Sequence, residues 1–159
     1  MLAACGGSSK PAPATTPPPA APAPTPTTTE APPAEAAPQN DAVAQAELAE
    51  QYDLGKKIYV EKKCASCHGD HGEGNPKNPA VIGANAFPEQ PPAGAKLRTT
   101  PFHTAADVLA FVKAKMPIKQ PGTLTDDEAA AVTSWMLSES KVAIDHKLTA
   151  ANAASVKLR

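Results

Sequence analysis

Aromatic side chains are scarce, with three Phe, two Tyr and one Trp in 159 residues. Small domains are already marginal when they bury little apolar surface. So few large rings leave room for an apolar body that the chain does not supply itself. An excess of charge is also missing, because the formal net charge is −1, which excludes the basic footprint of a nucleic-acid partner. No apolar run reaches the roughly eighteen residues that a membrane-spanning helix needs. The alternating pattern of a half-buried strand is absent too. Cysteine is limited to Cys5, Cys64 and Cys67, an odd number that does not make a simple disulfide framework.

Proline, in contrast, is plentiful and uneven: eleven of the 19 prolines fall between Lys10 and Gln39, among Ala and Thr. Such a stretch lacks the apolar residues that would offset its ordering entropy, so residues 5–40 are expected to be a disordered tether. In extended polyproline conformation about thirty residues span at most roughly 90 Å. Ahead of it, Met1-Leu2-Ala3-Ala4-Cys5 followed by Gly6-Gly7 resembles the end of a bacterial lipoprotein signal peptide. That resemblance implies that residues 1–4 are a signal remnant and that Cys5 carries lipid.

The folded domain is expected over residues 41–142. Near Asp41 the sequence turns to Ala, Glu and Gln, and Ala46, Leu48, Ala49, Tyr52, Ile58 and Tyr59 offer an apolar side for a first helix leading to Cys64. A second helix is signalled by Thr104-Ala105-Ala106-Asp107, a start like a capping box, with Val108, Leu109, Phe111 and Val112 behind it. It should stop before Met116-Pro117, since proline disfavours a helical residue ahead of it. A third opens at Thr125-Asp126-Asp127-Glu128 and runs through Ala129, Val132, Trp135 and Met136 to about Glu139. The fold class is therefore all-α, with three to four helices and long loops, notably residues 69–103. Residues 143–159 are a C-terminal extension whose scattered apolar side chains suit packing back on the domain.

The strongest chemical signal is Cys64-Ala65-Ser66-Cys67-His68. Two thiols three residues apart can add to the two vinyl groups of one haem, and the next residue turns an imidazole onto its iron. A thiol-redox reading would need a strand-then-helix context, which is missing. Zinc would need further paired Cys or His ligands, and only His71, His103 and His146 remain. A haem would also be the missing apolar body, and loops wrapped around it explain the length of 69–103.

With that motif in view, residues from about 51 to 140 resemble a class I, monohaem cytochrome c. Gly55 with Tyr59 resembles the glycine and aromatic of the family's first helix, and Trp135 the aromatic of its last. Pro79-Ala80-Val81-Ile82-Gly83 resembles the family's Pro-x-Leu-x-Gly loop. The resemblance implies that the Pro79 carbonyl accepts a hydrogen bond from the haem-binding imidazole, and that Met116 is the sixth ligand opposite His68. A lone methionine would by itself read as core packing, as Met136 does; His103 is the rival ligand. Lys96 and Arg98 are read chiefly as exposed charges that could reach the haem propionates. Lys62, Lys63, Lys113, Lys115 and Lys119 could form a positive docking rim, or be cancelled by neighbouring acids.

The expected function is one-electron transfer by a covalent haem c, as a membrane-tethered carrier or a cytochrome subunit of a respiratory or photosynthetic complex, not an enzyme by itself. The other readings are a haem-based gas sensor or peroxidase-like enzyme, and an electron-accepting module of a dehydrogenase. The implied partners are a quinol-oxidising complex, a terminal oxidase or a reaction centre. The implied location is the periplasmic side of a bacterial membrane, with the lipid of Cys5 as anchor.

Overall fold

The computed structural model describes residues 39–158. Cys5, residues 1–4 and the proline-rich stretch up to residue 38 lie outside the described residues. Four helices follow one another: α1 (Gln39–Glu61), α2 (Ala65–His68), α3 (Ala105–Lys115) and α4 (Asp126–Glu139). Among the described residues there is no strand, only the isolated bridges Asn75–Asn78 and Thr104–Lys157. The fold is all-α, as the lack of strand alternation predicted.

Helix α1 is one uninterrupted element of 23 residues because it holds no proline and is rich in Ala, Glu, Gln and Leu, all good helix formers. It begins at Gln39. Its residues 41–50 are exposed or half-buried, and only its second half packs, through Gln51, Gly55, Ile58 and Tyr59. That spacing places the four on one face.

Helix α4 is the centre of the molecule, buried without a break from Ala129 to Leu137. A helix buried all round must be covered from several sides, and α1 and α3 both pack on it. Its approach to α1 is set by Gly55: a Cβ there would stand 2.1 Å from the Ala131 carbonyl oxygen and 2.7 Å from Trp135 Cβ. Beside that crossing the rings of Tyr59 and Trp135 stack at 4.7 Å, tilted by 53°. Each large apolar side chain buried in this way contributes about 2 kcal/mol. All six aromatic residues lie in the core or against it.

Helices α3 and α4 start where their caps place them. The Glu128 carboxylate accepts from the Thr125 amide at 2.9 Å, and the Thr125 hydroxyl accepts from the Glu128 amide at 3.2 Å. At α3 the Asp107 carboxylate accepts from the His103 and Thr104 amides, both at 2.9 Å. Helix α3 stops at Lys115, with Met116 as its C-cap, as the following proline requires.

Between α2 and α3 the chain is irregular, and Arg98 ties it together. This residue is 8% exposed, which corrects its reading as a solvated charge. Its Nη2 donates to the Pro88 and Glu89 carbonyls, its Nε to the Thr100 carbonyl at 3.2 Å, and its guanidinium lies 3.9 Å from the centre of the Phe102 ring. Lys96 remains exposed. Beyond α4 the tail folds back. Gln51 on α1 both donates to the Leu148 carbonyl and accepts from the Leu148 amide, each at 2.7 Å and buried.

Candidate haem site

The attachment turn grows out of the end of α1. Lys63 adopts a left-handed conformation (φ 58°), the chain turns, and α2 carries Cys67 and His68 directly after Cys64. Cys64 and Cys67 are free thiols, both half-buried. Burial pushes the Cys64 thiol above its ordinary value, which disfavours the thiolate that a thiol-redox centre needs.

Three hydrogen bonds fix this turn from outside. The Tyr59 hydroxyl donates to the Gly69 carbonyl at 2.7 Å; burial raises its pKa, so it stays a donor. Asn75 Nδ2 donates to the Cys67 carbonyl at 2.7 Å, and the Gly74 amide to the His68 carbonyl at 2.7 Å. Gly74 has φ 74°, and a Cβ on it would lie 2.4 Å from the Ala80 nitrogen. Only glycine lets the two loop arms approach so closely. The Val81 and Ile82 amides both donate to the Gly72 carbonyl, at 2.8 and 3.1 Å.

That pairing brings His68 to Pro79. His68 Nδ1 lies 2.8 Å from the Pro79 carbonyl oxygen. A carbonyl only accepts, so Nδ1 carries the proton and the Nε2 lone pair of the neutral ring is left for another partner. Met116 is half-buried directly after α3 and packs on the same core as Cys64, Ala65, Val81, Ile82 and Phe111. Met136 is 5% exposed, inside the core. His103 has a side chain 60% exposed beside Glu89, and His71 and His146 are exposed as well.

The lysine rim is partly cancelled by α4. Lys62 pairs with Glu128 at 2.8 Å, and Lys113 pairs with Asp126. Lys63, Lys115 and Lys119 are exposed. Sequence patterns passed over Asn75, although Asn75-Pro76-Lys77-Asn78 carries the composition of a side-chain-closed turn. Its Oδ1 accepts from the Lys77 and Asn78 amides at 2.9 and 3.0 Å.

A family model for cytochrome c matches residues 52–140, the stretch from the middle of α1 to the end of α4. The chain belongs to the cytochrome c family. The family holds its haem c covalently, transfers electrons and works outside the cytoplasm. The residues present fit such a group: two free thiols on one turn, an imidazole with Nε2 uncommitted, and a half-buried apolar set beside them. Among the described residues no three His, Cys, Asp or Glu side chains gather to hold a bare metal ion. No described helix is long and apolar enough to cross a membrane.

Among curated proteins, the chain is 39% identical over 89 residues to a thiosulfate dehydrogenase of Psychrobacter arcticus, covering 52% of this cytochrome and 24% of that protein. It is 36% identical over 92 residues to a thiosulfate dehydrogenase of Stutzerimonas stutzeri, covering 55% and 27%. The cytochrome thus spans about a quarter of the length of these relatives. Among solved structures, the sulfane dehydrogenase SoxCD from Paracoccus pantotrophus aligns with TM-score 0.49 and 26% identity over 66% of this chain and 51% of that one.

Proposed function

We propose that the chain is a one-electron relay with a single haem c, bound by thioethers at Cys64 and Cys67 and ligated by His68 Nε2 and Met116 Sδ. The observation that carries the reading is the 2.8 Å approach of His68 Nδ1 to the Pro79 carbonyl, on the turn that also holds both thiols. The group itself would supply an iron that gains and loses one electron. The rest is done by this chain's own residues. Cys64 and Cys67 would hold the group covalently as thioethers, a linkage made by addition with no leaving group. Pro79 holds the ring in one tautomer and orientation and makes Nε2 a better base. Met116, a thioether, favours the reduced state, which suits a carrier of high potential. A methionine in the sixth position disfavours the gas-sensor and peroxidase-like readings, which need that position open.

The resemblance to thiosulfate dehydrogenases supports one choice among the partners: an oxidoreductase of a sulfur compound as the electron source, with this chain as its cytochrome subunit or acceptor. A terminal oxidase or reaction centre would then take the electron, and a quinol-oxidising complex is the alternative source. Lipid on Cys5 would anchor the domain at the periplasmic face of a bacterial membrane, with the proline-rich segment as tether. The test mixes the oxidised holoprotein with thiosulfate, with and without a thiosulfate-oxidising enzyme. A relay is reduced rapidly only with the enzyme present. Rapid reduction by thiosulfate alone would make the chain an enzyme in its own right and overturn the relay.

A further inference from the structure

The tail beyond the family match is held against α1, the start of α3 and the loop that follows Pro79. The family model ends at residue 140, yet Leu148 and Ala153 are fully buried. On α1 the tail is held by the paired Gln51–Leu148 hydrogen bonds. At α3 it supplies what the helix start lacks. The first amides of any helix have no partner within it. Here the Ala105 amide donates to the Val156 carbonyl at 2.9 Å and the Ala106 amide to the Ala153 carbonyl at 3.1 Å. The Leu158 amide returns to the His103 carbonyl at 3.1 Å. Just ahead of the tail, Ser140, the C-cap of α4, accepts through Oγ from the Gly83 amide of the loop opened by Pro79, at 3.1 Å. Val142 and Leu158 close a small cavity of about 70 Å³ against Gly83 and Phe87.

We propose that residues 142–158 are a strap that positions the axial-ligand segments and keeps Met116 on the haem iron. Helix α3 is a rigid rod of 11 residues, and Met116 is its C-cap. Fixing the first turn therefore fixes the rotation and axial position of the rod that ends at Met116. The same strap backs the loop that presents the Pro79 carbonyl to His68. Its hydrogen bonds run to Gln51 on α1 and to the start of α3, so it acts through α3 and the 79–87 loop as a positioning element. The proposal rests on Met116 being the sixth ligand.

The experiment uses the haem-loaded full chain, a form ending at Asp145, and Gln51→Ala, which releases the strap at its midpoint and leaves its sequence intact. Three signals are read: the methionine-to-iron absorbance band of the oxidised protein, carbon monoxide uptake by the reduced protein, and hydrogen exchange at the Ala105 and Ala106 amides. Loss of the strap's hydrogen bonds raises the population with Met116 displaced, so carbon monoxide uptake should rise about tenfold and the band weaken while haem content and helicity persist. Faster exchange at Ala105 and Ala106 with band and uptake unchanged would overturn the proposal and leave the strap a purely structural element. If the shortened chain does not fold, Gln51→Ala gives the decision by the same signals. An unaltered chain that lacks the band and takes up carbon monoxide readily would instead remove Met116 as ligand, and with it this role.

Discussion

A single buried guanidinium organises the longest irregular stretch of the domain. Arg98 satisfies three backbone carbonyls and lies over Phe102. Hydrogen bonds from a charged group contribute about 1.5–3 kcal/mol each, and their removal leaves carbonyls unpaired. Arg98→Ala should therefore destabilise the domain by about 3 kcal/mol, seen as a lower urea midpoint at unchanged slope. Arg98→Lys should recover only a small part, because a point charge cannot serve three acceptors in the guanidinium plane. A loss below about 0.5 kcal/mol for Arg98→Ala, the range of an ordinary surface substitution, would mean that these bonds do not hold the loop. This role was illegible in the sequence, where Arg98 sits among exposed neighbours and its partners are backbone oxygens without a side-chain signature. The Cys64–His68 turn could be picked out for the opposite reason: the chemistry proposed for it needs only consecutive side chains.

Among the elements, the helix crossing and the caps set the stability of the domain. A Cβ at Gly55 meets the Ala131 carbonyl at 2.1 Å, and a carbonyl on a buried helix cannot swing away as a flexible side chain can. Gly55→Ala gains helix propensity of about 1 kcal/mol but forces α1 and α4 apart. The net expectation is a loss of about 2 kcal/mol in chemical denaturation, the usual scale of overpacking. Unchanged or higher stability would show that the helices do not meet there. The cap of α4 gives a pH signature. The Glu128 carboxyl is held below its ordinary value, first by the hydrogen bond from Lys62 and then by the Thr125 amide. A lowered folded value means stabilisation that is full above the ordinary carboxylate range and is lost as pH falls through the folded value. Glu128→Gln should thus narrow the stability gap between neutral and acid pH, with the two thermal profiles converging at low pH. Parallel profiles would remove this linkage. Both helix starts were legible because capping is local; the depth of α4 was not, since burial on every side erases the stripe that sequence reading looks for.

In the whole molecule, a core short of rings is completed by two additions. The tail contributes Leu148 and Ala153, held by Gln51, and the proposed haem would cover Cys64, Val81, Ile82 and Met116, which are only half-buried. That the tail packs back was legible in its scattered apolar side chains, but where it is held was not, because its hydrogen bonds run to the backbone and to one glutamine 97 positions away. The central claim is that the turn from Cys64 to His68 holds one haem by both thiols. Its most direct test is the intact mass of the protein matured in cells that assemble c-type haem, followed by mapping of the modified peptide. The expected product is the chain plus one haem, retained under denaturing conditions and confined to the peptide containing Cys64 and Cys67. An unmodified chain under those conditions, or a disulfide between Cys64 and Cys67, would contradict it.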